Sequence, residues 1–224
     1  MKIISPSWKF EYIDDGEDVL RRLERFGRTC YKSEDKITNE SAEKFVRMLL
    51  DRGHESVLEH EKITVRVICD RGVTHEIVRH RIGSYSQEST RYCNYGHENE
   101  ITVILPIWYK DVHEKFGWDC SKLDHRNSLH ERYLSWRASC GESETAYMYL
   151  IKQGAQPQEA RSVLPNSLKT EIVITYNLRE WRHFFKLRTS KAAHPQMREI
   201  TIPMLGDFKF NIPVIFEDIK PEVD

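Results

Sequence analysis

The densest run of reactive side chains is RHRIGSYSQESTR, from Arg79 to Arg91. Three arginines, a histidine, three serines, a threonine and a glutamine fall within it. Arginine forks match phosphate oxygens with two parallel bonds, and hydroxyls and amides add further donors, which is the chemistry a phosphorylated small molecule requires. Gly83 and the serines let the backbone approach a ligand closely. A solvated surface or an RNA-contacting patch has a similar composition, and composition alone favours the solvated surface over any site. Tyr85, Tyr92 and Tyr95 could stack on bases, but Glu76, Glu88, Glu98 and Glu100 surround them and weaken a nucleic-acid reading.

Other chemistries fit less well. His54, Glu59 and His60, or His75, Glu76 and His80, invite a metal, yet neither group has the i, i+4 histidine spacing of H-E-x-x-H. On one helix, His75 and His80 would stand on different faces. No metal is expected. Ser89 lacks the G-x-S-x-G turn of a nucleophilic serine and has neighbours suited to phosphate, so it reads as a substrate binder.

The elements that must position these residues alternate between helix-like and strand-like, which predicts a mixed α/β chain of the α+β type. Its expected form is a single domain over residues 1–224, a central sheet flanked by helices. Residues 16–28 form an amphipathic helix, and a second begins at a capping Ser41 and ends at Gly53. Alternation of apolar and polar residues predicts strands over 62–69, 101–105 and 169–176. A short helix is expected from Val73 to Arg81, opening into a polar loop through about Asn99. Residues 127–153 read as helical, with Gly141 dividing them in two. Pro157 opens a short helix to residue 163. Asn177 with Glu180 gives a capping-box start to a helix over 178–190. On it Arg179 and His183, four apart, share a face. Pro195 implies a break beyond Arg188, and Pro203 and Pro213 punctuate the tail.

Composition narrows the function classes. The chain has 34 basic and 35 acidic side chains and a net charge of −1, so any anion site is local rather than a property of the whole surface. Neither nucleic acid nor a membrane is an expected partner. The start has no apolar core of a signal peptide, and no apolar run reaches the ~20 residues of a membrane span. Cys30, Cys69, Cys93, Cys120 and Cys140 are odd in number and form no C-x-x-C pair, so reduced thiols in the cytoplasm are expected.

Four ordered segments carry a further signal. Arg79, His80 and Arg81 are followed by seven residues and then Ser89, and this resembles the R-H-R-x7-S signature of flavin-dependent thymidylate synthases. Upstream, GHESVLEH (Gly53 to His60) is similar to the family's G-H-E-S/T-x-x-E-H segment. Downstream, ARSVLP (Ala160 to Pro165) resembles its substrate-arginine segment, and NLREWRHFFKLR (Asn177 to Arg188) its flavin-binding segment. The resemblance spans about residues 15–200, with little from 106–155.

The resemblance implies α/β homotetramers whose active sites are shared between subunits, with FAD and dUMP stacked together. By position, Ser56, Arg79, His80, Arg81, Gln87, Asn177, Arg179 and His183 would contact FAD. Glu76, Arg79, Gln87, Glu88, Ser89, Thr90, Arg91, Arg161 and Arg188 would hold dUMP. Arg188 would also be catalytic, facing the uracil and stabilising negative charge as it develops there. A folate, methylene-tetrahydrofolate, would supply the one-carbon unit, reduced FAD the hydride, and NADPH the flavin's electrons. Here Glu76 stands in place of glutamine, His183 of asparagine and Thr90 of glycine. The cysteine-dependent thymidylate synthases form another class, and the Pro-Cys pair usual there is absent from this sequence. The competing readings are a nucleotide- or RNA-binding module without catalysis and a different flavoprotein reductase.

Overall fold

In this computed structural model residues 1–117 and 119–222 are described. In chain order the elements are β1 (Lys2–Ile4), β2 (Ser7–Tyr12), α1 (Gly16–Arg28), α2 (Ser41–Asp51), β3 (Lys62–Asp70), α3 (Arg71–Ile77) and β4 (Ser84–Gln87). They continue with β5 (Thr102–Ile104), α4 (Lys110–Phe116), α5 (Ser128–Lys152), α6 (Pro157–Ala160), β6 (Lys169–Asn177), α7 (Leu178–Arg188), α8 (Pro195–Asn211) and α9 (Pro213–Phe216). Strands and helices mix as the sequence predicts. Strand order is β2-β3-β6-β4 in one sheet, while β1 and β5 pair in parallel in another, with Ile3 opposite Val103. Among the described residues no helix is long and apolar enough to cross a membrane.

The described residues fall into two compact units. The first comprises Met1–Ser7, Ile68–Ile77 and Gln87–Ile172. Its core holds Ile101, Val103, Cys140 and Leu168, with Trp136 and Met148 packed against them. A second cluster joins Leu105, Val112 and Leu123 to Tyr133.

The second unit comprises Trp8–Val67, Val78–Ser86 and the chain from Val173 on. Strict alternation buries Ile63, Val65 and Val67 on β3 and Ile174 and Tyr176 on β6, as expected of strands with one covered face. On α7, Trp181, Phe184 and Phe185 are buried together. Trp181 stacks on Phe185 at 5.6 Å between ring centroids, and Phe208 of α8 lies 4.8 Å from both. The Trp181 indole N–H, which needs a partner once buried, donates to the Ile63 carbonyl at 3.0 Å. Gly53 ends α2 with φ +69°, the left-handed turn predicted for it.

Several boundaries differ from expectation. The helix predicted over Val73–Arg81 runs from Arg71 to Ile77, so His75 and His80 are not on one helix. Asp70 sets its start by accepting the Val73 N–H at 2.8 Å. The edge strand β4 was not anticipated, because SYSQ is polar on both faces. β1 and β2 were also missed. Gly141 does not divide α5, where a Cβ would meet only open space and the helix runs on. Ser41 is the first residue of α2 rather than its cap, its hydroxyl accepting from the Thr38 N–H at 2.8 Å. The tail is ordered into α8, which continues through Pro203 because Ile200, Met204, Leu205 and Phe208 bury one face. Cys30, Cys69, Cys93 and Cys140 are free thiols, and the expectation for Cys120 lies outside the described side chains.

Candidate active site

In the second unit β6 ends at Asn177, whose side chain caps α7 by accepting the Glu180 N–H at 2.8 Å. The cap is half of the predicted box. Glu180 sends its carboxylate not back to the Asn177 backbone but to His80 Nδ1, at 2.8 Å. The other ring nitrogen of His80, Nε2, accepts from Nε of Arg188 at 3.1 Å. His80 is 5 % exposed, and the ring of Phe184 meets it edge-on at 5.0 Å. Burial, and then the Arg188 charge, hold His80 below its ordinary pKa against the opposing pull of Glu180.

The backbone of the 79–83 turn is fixed from below. Tyr85 donates its hydroxyl proton to the His80 carbonyl and accepts from the Tyr176 hydroxyl at 2.7 Å. Burial raises the pKa of both phenols, which keeps these protons in place. Gly83 lies on the Tyr176 ring, where a Cβ would overlap the aromatic atoms.

Beside this cluster is a cavity of about 460 Å³. Asn177, Arg179, Glu180, His183 and Lys186 of α7 line it, with Ile82 and the turn residues Glu55 and Glu59. Arg179 pairs with Glu59 at 2.6 Å. The volume falls within the range of small-molecule sites. Ile82 offers an apolar surface, Arg179 and Lys186 offer cationic donors, and His183 adds an imidazole. Ile82 suits a flavin's ring and the two cations its phosphate chain, although Glu59 already pairs with Arg179 and Glu55 stands 3.9 Å from Lys186; the volume takes part of a dinucleotide rather than all of it.

Of the residues assigned to FAD, the structure brings together Asn177, Arg179 and His183 on the cavity wall and His80 behind them. Ser56 is exposed on the 3-10 turn Glu55–His60, and Arg79 and Arg81 flank His80 with exposed side chains. Sequence reasoning missed Ile82, Glu55, Glu59, Glu180 and Lys186. A signal existed for the two glutamates, which stand four apart in GHESVLEH. Glu180 was visible only as a capping residue.

The residues assigned to dUMP, apart from Arg79 and Arg188, lie in the first unit. Gln87 donates its amide to Thr74 at 3.1 Å and Thr170 at 3.2 Å. Glu88 accepts from Tyr95 at 2.7 Å and Lys169 at 2.8 Å, so both its oxygens face the protein. The Ser89 carbonyl accepts from the N–H groups of Tyr92 and Cys93, and its hydroxyl from that of Arg91 at 3.3 Å. Thr90 is buried, and Arg91 is exposed with its guanidinium 5.3 Å from the Tyr92 ring centre. Glu76 is half-buried on α3, and Arg161 is exposed at the start of a 3-10 turn.

A family model described as "Thymidylate synthase complementing protein" matches residues 12–214. The flavin-dependent thymidylate synthase of Pyrococcus furiosus is 34% identical over 198 residues, 88% of this chain and 72% of that protein. The enzyme of the same name from Corynebacterium aurimucosum is 33% identical over 210 residues, covering 92% of this chain and 82% of its own length. Among solved structures, a UMP/dUMP methylase from Streptomyces cacaoi bound with 5-Br dUMP superposes with a TM-score of 0.75 at 22% identity. That match covers 97% of this chain and 96% of the other and shows a common fold.

Proposed function

The chain belongs to the flavin-dependent thymidylate synthase family, and on that premise we propose that it converts dUMP to dTMP by reductive methylation. Methylene-tetrahydrofolate is the one-carbon donor, and FAD reduced by NADPH is the hydride source. The observation that carries this reading is a convergence within the second unit. Segments 53–60, 79–82 and 177–188, far apart in sequence, meet around one cavity with Arg188 held by His80 beside it.

Bound there, FAD would supply the hydride. Ser56, Arg79, His80, Arg81, Gln87, Asn177, Arg179 and His183 are the residues proposed to hold it. Glu76, Gln87, Glu88, Ser89, Thr90, Arg91 and Arg161 are proposed to hold dUMP, with Arg79 and Arg188. The Streptomyces cacaoi structure, with its dUMP analogue, supports the substrate class. The Nε bond of Arg188 to His80 helps to orient its guanidinium. A fixed cation of this kind stabilises charge that develops on a pyrimidine without reorganising.

We take residues 1–224 as one functional domain, acting as a homotetramer with shared sites in the cytoplasm. A cavity too small for a whole dinucleotide agrees with completion by another subunit, and free thiols agree with a reducing compartment.

The test is dTMP formation from dUMP under low oxygen, with methylene-tetrahydrofolate and NADPH, with and without FAD. Product that requires both flavin and nicotinamide is expected. A folded, FAD-loaded protein that makes none overturns the proposal and leaves the reductase reading. A colourless protein with salt-sensitive RNA binding would support the binding module instead.

A further inference from the structure

We propose that Glu180 is a positioning residue for Arg188, acting through His80, whose ring it fixes in the one tautomer that can accept the Arg188 bond. The proposal rests on the reading of Arg188 as the charge-stabilising group. A guanidinium has only N–H donors, so the Nε2 atom 3.1 Å from Arg188 Nε must present a lone pair. The ring proton then sits on Nδ1 and is donated to Glu180, 2.8 Å away. Removing that acceptor removes the bias. With the proton free to move to Nε2, N–H would face N–H and the Nε bond of Arg188 to His80 would be lost.

Two further observations agree. Glu180 occupies the third position of α7, where a glutamate ordinarily closes a capping box, yet its carboxylate turns to His80. Both residues are buried, His80 at 5 % and Glu180 at 7 % exposure, so water does not compete for the bonds. Glu180, His80 and His183 also place potential ligand atoms within 4.8 Å of one another, the arrangement of a cation site. Both His80 nitrogens are already engaged, however, and the Arg188 charge beside them repels a cation. The relay uses both ring nitrogens of His80.

The test is the tautomer itself, read by nitrogen NMR on FAD-loaded protein labelled with 15N-histidine, with His80→Gln to assign the signal. The wild type should show His80 with its proton on Nδ1 alone at neutral pH. Glu180→Leu should shift the population toward Nε2–H. Glu180→Gln keeps an acceptor oxygen and should hold the wild-type tautomer. In turnover, Glu180→Leu should lose tenfold or more in kcat with KM for dUMP within threefold, and Glu180→Gln should recover most of that loss. A wild-type His80 protonated on Nε2, or a Glu180→Leu protein with the wild-type tautomer or kcat within twofold at equal flavin occupancy, overturns the proposal. The wild-type spectrum decides even where Glu180→Leu does not fold. If the wild type makes no dTMP, the proposed reaction fails, and the tautomer shift still judges the relay.

Discussion

At Gly83 the Tyr176 ring occupies the space of a side chain, and the same ring's hydroxyl holds Tyr85 against the His80 carbonyl. Gly83→Ala must push the turn off that ring, at a cost of about 1–3 kcal/mol for overpacking. Thermal melting should show the loss and a flavin titration a weaker affinity; wild-type values for both would mean that the turn can shift freely. Arg188 is proposed to act on the chemical step. Arg188→Ala should leave FAD bound, as read by flavin absorbance, while lowering dTMP formation by about 10²–10³-fold, the effect of losing one charge-stabilising donor. Normal turnover would remove it from that role. His80 yields a pH prediction. Its folded pKa is lowered, so the unfolded chain takes up a proton first, near the usual ~6.5. Its contribution is whole above that pH and is lost as pH falls toward the folded value. Denaturant titrations should give lower stability at pH 5.5 than at 7.5, with a smaller difference in His80→Gln. An unchanged difference would show that other groups govern the acid limb.

Helix α7 shows how much could be read in advance. Its start at Asn177, its apolar face of Trp181 and Phe185 and the shared side of Arg179 and His183 follow from local spacing, because capping and helical periodicity are local effects. The Glu180 bond to His80 does not, since it joins residues 100 apart. Neither does Arg182, which local spacing would leave on the surface. Its side chain is 3 % exposed and makes two 2.7 Å bonds to Asp218, with a further bond to the Ile215 carbonyl. The strand β4 hid in a run whose polar residues gave no alternation, and α8 hid behind Pro203, where packing of one buried face outweighs a missing N–H donor. Asp218→Ala should leave a buried guanidinium short of its main partner and cost about 2 kcal/mol. At this chain length that is a fall of about 4–8 °C in Tm. An unchanged Tm would show that Glu55, 3.3 Å away, suffices for Arg182.

On the scale of the whole molecule, Arg91 belongs to the first unit and Arg188 to the second. If active sites are shared between subunits, mixing and reassembling the inactive Arg91→Ala and Arg188→Ala proteins should restore part of the activity. Sites built from single chains would recover none. Light scattering should report four chains of 26.6 kDa, and a monomer would remove shared sites altogether. The loop proposed to hold dUMP, residues 87–91, has a thermodynamic consequence of its own. It is tied down by the protein's own bonds: the Glu88 N–H on the Glu171 carbonyl, Lys169 and Tyr95 on the Glu88 carboxylate, and the turn at Ser89. Ordering a free backbone costs about 1–2 kcal/mol per residue, and here folding has already met that cost. Nucleotide association should therefore resemble a key entering a cut lock: calorimetry would find a small heat-capacity change and a binding enthalpy that varies little with temperature.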